Sequence, residues 1–461
     1  MPQLIQFGFL LFAAWLIRRD IAMRPGLSRA IWIPTIWVFI IASRPLSAWI
    51  GFGGATDTLD GSPMDRLFYM VMIAAALVAL SKRNLNWGWL IGRNWPVLLF
   101  YAFLLFSVLW ANSLESSFKR WVKEAGNIFI ALVILSEVDP LQAIRAVFVR
   151  CAIVLVPLSE IYIRYFPDIG RRYNMHSGEM EATGVTTQKN NLGTMLMVCG
   201  IIFVWDWLER TRSTATGRTW IDRAVAVGIA SLTIYLFFLC DSKTSMVAMA
   251  VAALIITAIR LPVFRNRVSA FGLYGVLAVV AFFVVDREIG ITERIVTMLG
   301  RDMTFTGRTL VWEKLFGVGT DPLLGTGFMS FWDDFSFRAK LPYYVAFSAH
   351  NGYIEVYLAG GVIGCFFLGL MLLGTGFIMN ADLRRGGDYA VVRFAILVAT
   401  LIANFFESNF ACMTPLGFLF LLAAIGYSTP ENYATANRAA DPPAAPAADE
   451  EKPAPLTHQF Q

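Results

Sequence analysis

Charge is scarce in this chain. Of its 461 residues only 15% are Asp, Glu, Lys or Arg, and 57% are hydrophobic. An ordinary soluble domain carries about a quarter charged residues, so a water-soluble fold of this length is excluded. Mean hydropathy is +0.59. Histidine is scarcer still, with three residues in all, and His458 lies in the polar C-terminal stretch. The five cysteines (Cys151, Cys199, Cys240, Cys365, Cys412) all fall in or beside apolar runs. That spacing gives neither a disulfide frame nor a metal site. No basic n-region precedes the first apolar run, so Leu4–Ile17 reads as a span or interfacial helix rather than a cleaved signal. Internal repeats of the kind many transporters carry are absent. The net charge of +5 sits in short loops between apolar runs and gives no nucleic-acid signal.

What is present is a succession of apolar runs: Leu4–Ile17, Ala30–Ile50, Leu67–Leu80, Trp95–Trp110, Trp121–Leu135, Ile144–Tyr165, Leu192–Leu208, Ala224–Leu239, Ser245–Ile259, Val268–Val285, Tyr353–Ile378, Val391–Phe406 and Thr414–Tyr427. Lipid cannot satisfy open backbone groups, so each span must be a helix of roughly 20 residues. The expectation is an all-α polytopic membrane bundle of about 12–13 spans with one large outward loop, residues 286–349, the whole occupying residues 1–428. Arginines and lysines crowd alternate loops (Arg18, Arg19, Arg24 and Arg29; Lys82, Arg83 and Arg93; Arg210, Arg212, Arg218 and Arg223; Arg260, Arg265 and Arg267; Arg384 and Arg385). Those loops should be cytoplasmic, which turns His176 and His350 outward. Residues 429–461, rich in Ala, Pro, Asp and Glu, cannot bury a core and read as a disordered cytoplasmic tail.

The outward loop carries the chemistry. It contains Thr306-Gly307-Arg308, Trp312 and Pro322-Leu323-Leu324-Gly325-Thr326-Gly327, and ends at His350-Asn351-Gly352. Arg308 suits bidentate binding of a phosphate, or else pairs with Asp302 or Glu313. His350 suits a general base, or else forms a helix-capping pair with Asn351. Pro322–Gly327 reads as a tight turn with close backbone approach. Lys189, at the mouth of a span, and Lys243, beside Asp241, are further cations on the same side; snorkelling and local pairing are their ordinary alternatives. Arg44 falls roughly 20 Å into its run, a costly place unless it faces a cavity or the outer interface. A cluster of cations with one base is what a lipid-linked diphosphate donor and a sugar hydroxyl require. The loops offer no Asp-x-Asp run and no metal-ligand spacing; Asp333-Asp334 reads as a solvated turn.

These motifs resemble the O-antigen ligase/polymerase family of bacterial envelope glycosyltransferases. Gln188-Lys189-Asn190-Asn191-Leu192-Gly193 and Asp241-Ser242-Lys243-Thr244 resemble its exopolysaccharide-making branch. The resemblance implies a glycosyltransferase of the bacterial inner membrane, active on its periplasmic face. Its donor would be a glycan on undecaprenyl diphosphate, a substrate rather than a cofactor, and no metal is implied. Arg308 and His350 would be catalytic. Lys189, Arg44, Lys243, Arg172, Asn351 and Trp312 are the substrate-binding candidates. Many relatives carry an arginine where this chain reads Glu181-Ala182-Thr183-Gly184, leaving Arg171, Arg172 and Lys189 as the cations able to substitute. Implied partners are the lipid-linked oligosaccharide, a flippase and a chain-length regulator. Ligation to lipid A-core is the close alternative to polymerisation, and a polyprenyl-linked glycan transporter is the alternative of another class.

Overall fold

The apolar runs fold as helices whose ends are set by a few polar residues and prolines. The computed structural model describes residues 1–51, 61–173, 178–212, 220–259, 308–341, 348–384 and 388–427. The expectations for His176, for the run Val268–Val285, for Asp302 to Gly307 and for the tail therefore lie outside the described residues. The other runs all lie on helices, and the described chain is all-α apart from one two-stranded ribbon, Arg171–Tyr173 against Met180–Ala182.

This is a membrane protein. Among the described residues five helices are long and apolar enough to cross a bilayer: Pro63–Ser81, Pro140–Tyr165, Lys189–Glu209, Trp220–Cys240 and Gly352–Arg384. A sixth span arises if Trp87–Arg93 and Trp95–Trp110, bent by 84°, count as one. Arg29–Ile41, Lys243–Ala258, Tyr389–Ala403 and Pro415–Ala424 are apolar but shorter. Of the 12–13 runs of the sequence, Val268–Val285 lies outside the described residues, and others are cut where the backbone cannot continue a helix. Ala30–Ile50 is one run in sequence but two helices, Trp32–Ile41 and Leu46–Trp49. Pro45 has no N–H to donate and pushes Arg44 out of the helical region. The next helix starts on a capping box, in which Ser62 Oγ accepts the Asp65 N–H and Asp65 accepts the Ser62 N–H. The same carboxylate accepts from Ser47 N at 2.9 Å and Ser47 Oγ at 2.7 Å, tying the two helices together.

The side read as cytoplasmic is laced by buried ion pairs. Asp20 accepts from Arg24 Nε and Arg150 Nε, each at 2.8 Å, and Glu137 pairs with Arg83 and Ser28. Burying such charges is tolerable only because each is paired.

The decisive irregularity is in Gly352–Arg384. Gly361 sits at φ +56°, ψ −154° and breaks the helix. The turn Pro322–Gly327 enters the break: Thr326 N donates to Leu358 O at 2.8 Å, Gly327 N to Ala359 O at 2.9 Å, and Val362 N to Pro322 O at 2.9 Å. A Cβ on Gly325 would lie 2.6 Å from Gly360 N, and one on Gly361 would lie 2.3 Å from Leu323 C. The close approach expected of this motif is therefore to a broken helix, whose freed carbonyls the turn satisfies. Past the break, residues 362–384 still span roughly 35 Å at 1.5 Å per residue. The segment before it packs with the outer loop, whose own small core unites Leu315, Val318, Phe331, Trp332 and Leu341 with Ile354 and Leu358.

Candidate functional site

Three elements bring Arg308, His350 and Glu407 together. Arg308 begins the helix Arg308–Phe316, His350 precedes the helix Gly352–Arg384, and Glu407 follows the helix Asp388–Ala403. Arg308 Nη2 donates to Glu407 Oε1 at 2.9 Å, and its Nη1 donates to the carbonyl of Phe406. The other oxygen, Oε2, lies 3.4 Å from His350 Nδ1. Among the described residues Arg308 thus pairs not with Glu313 but with an acid 99 positions away; Asp302 lies outside the described residues. The cluster is neither buried nor freely solvated, with side-chain exposures of 21% for Arg308, 18% for Glu407 and 36% for His350.

The backbone that presents His350 is held on every side. His350 itself is left-handed, at φ +48°, an uncommon conformation for a residue with a Cβ. Its N–H donates to Ser348 Oγ at 3.1 Å. The preceding residue, Ala349, is gripped twice: its N–H donates to Glu355 Oε1 at 2.6 Å and its carbonyl accepts from Trp312 Nε1 at 2.9 Å. Glu355 Oε2 takes the Trp332 Nε1 proton at 3.0 Å. Trp312, expected to touch substrate, therefore fixes the loop that carries the imidazole. Asn351 is the helix cap: its Oδ1 accepts from Tyr353 N at 2.9 Å and Ile354 N at 3.1 Å, and it is 5% exposed. The capping alternative of the sequence thus describes Asn351, while His350 turns to Glu407.

The remaining cations are placed as follows. Arg44 spans the break before Pro45 and donates to the carbonyls of Val185 (2.9 Å), Gly184 (3.0 Å) and Thr186 (3.1 Å), lying over the rings of Trp49 and Tyr162. It clamps the loop that leads to Lys189. Lys189 Nζ pairs with Glu181 at 2.8 Å and Lys243 Nζ with Asp241 at 2.8 Å. Arg172 is exposed on the ribbon, in register with Glu181, and Arg171 Nε donates to Ile163 O at 2.6 Å. The N-terminal turns of the Lys189 and Lys243 helices are neighbours, since a Cβ on Gly193 would meet Ser242 Oγ at 2.2 Å.

Beside the cluster lies a cavity of about 460 Å³. Its wall includes Ser348 and Ser408, the neighbours of the His350 and Glu407 segments, whose hydroxyls are 3.5 Å apart. It is also lined by Arg120, Lys123 and Glu124 of the helix Leu114–Leu135, and by Asn191, Trp332 and Glu355. Arg120 forks onto Asp333, Nη1 to Oδ2 at 2.6 Å and Nη2 to Oδ1 at 3.1 Å. The pair Asp333-Asp334 is thus not a solvated turn. Asp333 is bound by an arginine that is 5% exposed, and Asp334 caps Ser336, a hydrogen bond that holds its carboxyl below the usual carboxylate value.

Comparison with known proteins bears on this geometry. Residues 228–369 match the family model described as O-antigen ligase. The exopolysaccharide production protein ExoQ of Rhizobium meliloti (strain 1021) is 24% identical over 304 residues, 62% of this chain and 66% of that one. The chain is O-antigen ligase/polymerase-like. The alignment spans just under two thirds of that relative's length. The family match of this O-antigen ligase-like chain contains Arg308, Trp312 and His350. Glu407, which joins them, lies beyond it, as do Lys189 and Arg44.

Sequence reasoning missed Glu407 as a functional residue. The one signal was an acid at the outer end of an apolar run. Nothing local tells such an acid from an interfacial one, because its partners are 57 and 99 positions away.

Proposed function

We propose that this chain is a membrane-embedded glycosyltransferase that moves a glycan from a polyprenyl diphosphate to a sugar hydroxyl, extending an exopolysaccharide. The observation that carries the reading is the pairing of Arg308 and His350 through one carboxylate at the edge of a cavity. On this reading Glu407 receives the Nδ1–H of His350, which leaves Nε2 as the proton acceptor, the logic by which carboxylates orient catalytic imidazoles. Nε2 takes the proton of the acceptor hydroxyl. The oxygen attacks the anomeric carbon, the bond from that carbon to the phosphate oxygen breaks, and the polyprenyl diphosphate leaves. Arg308 stabilises the charge that develops on the leaving group, exchanging part of its contact with Glu407 for the phosphate. The proton held by the imidazole passes to solvent. A single displacement of this kind inverts the anomeric centre.

The donor is proposed to be undecaprenyl diphosphate-linked and the site to face the periplasm, in keeping with the basic loops of the opposite side. The name of the matching relative supports polymerisation, whereas the family model is named for ligation. Product analysis decides between them. Purified protein, given a synthetic polyprenyl diphosphate oligosaccharide alone, should release the lipid diphosphate and lengthen the glycan. Transfer only after addition of lipid A-core would make it a ligase. Vesicles that move the intact donor across the bilayer without forming any glycosidic bond would overturn the proposal in favour of a transporter.

A further inference from the structure

The cavity contains a group that this transfer does not use. Glu124 lines it and is 3% exposed. Its Oε1 accepts from Tyr101 Oη at 3.2 Å and from Asn127 Nδ2 at 3.1 Å. Its Oε2 is equally buried and has no hydrogen-bond partner. Leaving such an oxygen unpaired forfeits its hydration without a replacement, so a buried polar atom of this kind calls for a reason. The surrounding wall is mixed: Phe331, Val356 and Leu358 are apolar, and Asn191 and Ser348 are polar. Ring C–H faces and hydroxyls together require that mixture, and the volume lies in the range of small-molecule sites. The wall is also built at a conformational cost. Of the four described non-glycine residues at positive φ, Met329 and Ala411 line the cavity and His350 borders it. Ser348, which accepts the His350 N–H, connects the cavity to the imidazole.

We propose that the cavity is the acceptor-sugar subsite, with Glu124 Oε2 receiving a hydrogen bond from a hydroxyl of the acceptor oligosaccharide. The proposal rests on the glycosyltransferase reading and adds to it where the acceptor binds and which residue recognises it. Glu124 anchors one sugar ring inside the cavity, so that a hydroxyl at the Ser348 end meets His350.

The test is calorimetric titration of the full-length protein in detergent. The probe is oligosaccharides released by partial acid hydrolysis of the producing cell's own exopolysaccharide. His350→Ala serves as the parent, since removal of the proposed base should stop turnover and leave binding. Glu124→Gln in that background keeps the shape but puts an amide NH2 in place of one carboxyl oxygen, and should weaken binding about fivefold or more. Ala359→Leu, which narrows the cavity and leaves Glu124 in place, should also weaken it, with the unfolding midpoint checked in each variant. No binding by the parent, or wild-type affinity in both folded variants, would overturn the subsite. Glu124-dependent binding by a protein that forms no glycosidic bond would keep the subsite and refute the transferase. Undiminished kcat/KM for acceptor in Glu124→Gln would do the reverse.

Discussion

Arg308 donates to Glu407 at 2.9 Å across 99 positions of sequence. The opposite oxygen of that carboxylate faces His350. A residue expected to hold a diphosphate and one expected to accept a proton are thus set side by side, and each can be tested against the alternative that the trio is only a structural ion pair.

Arg308→Ala should reduce polymer formation by about a hundredfold or more while the protein remains inserted, the scale seen when a donor to developing charge is removed. Arg308→Lys should also be poor, because an ammonium cannot reach the Phe406 carbonyl, the Glu407 carboxylate and a phosphate with one rigid fork. Near-normal polymer from the alanine variant would reduce the guanidinium to a surface pair.

For His350 the informative variant is glutamine, which can hydrogen-bond but cannot take the proton. Both His350→Ala and His350→Gln should lose about 10²–10⁴-fold in rate while binding of the lipid-linked donor persists. Wild-type turnover in the glutamine variant would mean that His350 positions the acceptor and the base lies elsewhere.

Glu407→Gln separates orientation from binding. If the carboxylate aligns the imidazole, kcat should fall about 10–100-fold with donor affinity unchanged. A weakened donor with kcat intact would instead assign Glu407 to holding Arg308 in place.

The turn in the broken helix makes a stability prediction. Gly325 is at φ +64°, with Gly360 N 2.6 Å from the position of an added Cβ. Gly325→Ala should therefore destabilise the loop by about 1–3 kcal/mol or more. The change should appear as faster proteolysis between residues 308 and 341 before any loss of the transmembrane helices. An unchanged cleavage rate would show that the turn does not depend on its glycine.

Activity is expected to survive chelation. The leaving diphosphate is assigned to Arg308 and the neighbouring cations, so EDTA should leave turnover intact. Loss of activity restored by magnesium or manganese would require an ion in place of that arginine.

Much of this protein follows from composition and periodicity. Scarce charge and repeated apolar runs require membrane helices, because a backbone in lipid must satisfy itself locally. The motifs Thr306-Gly307-Arg308 and His350-Asn351-Gly352 were legible because few polar residues compete for notice in so apolar a chain. Asn351 as a cap is also a local property, readable from Asn just before an apolar run. The long-range partnerships were not legible. Arg44, a costly charge in an apolar run, is explained by carbonyls some 140 positions later. Trp312, a substrate-binding candidate, holds the carbonyl of Ala349, 37 positions later. Glu124 lines a cavity and Arg120 grips Asp333, 213 positions away, and no local pattern announces either. Hydrophobic patterning and capping act within a few residues, so sequence alone determined that the described chain is helical and membrane-embedded, and which polar residues interrupt its apolar runs. Which carboxylate meets which cation depends on the path of the chain through space. The broken helix at Gly361, the turn that fills it and the docking of Glu407 are tertiary facts, and they decide that Arg308 and His350 share one site.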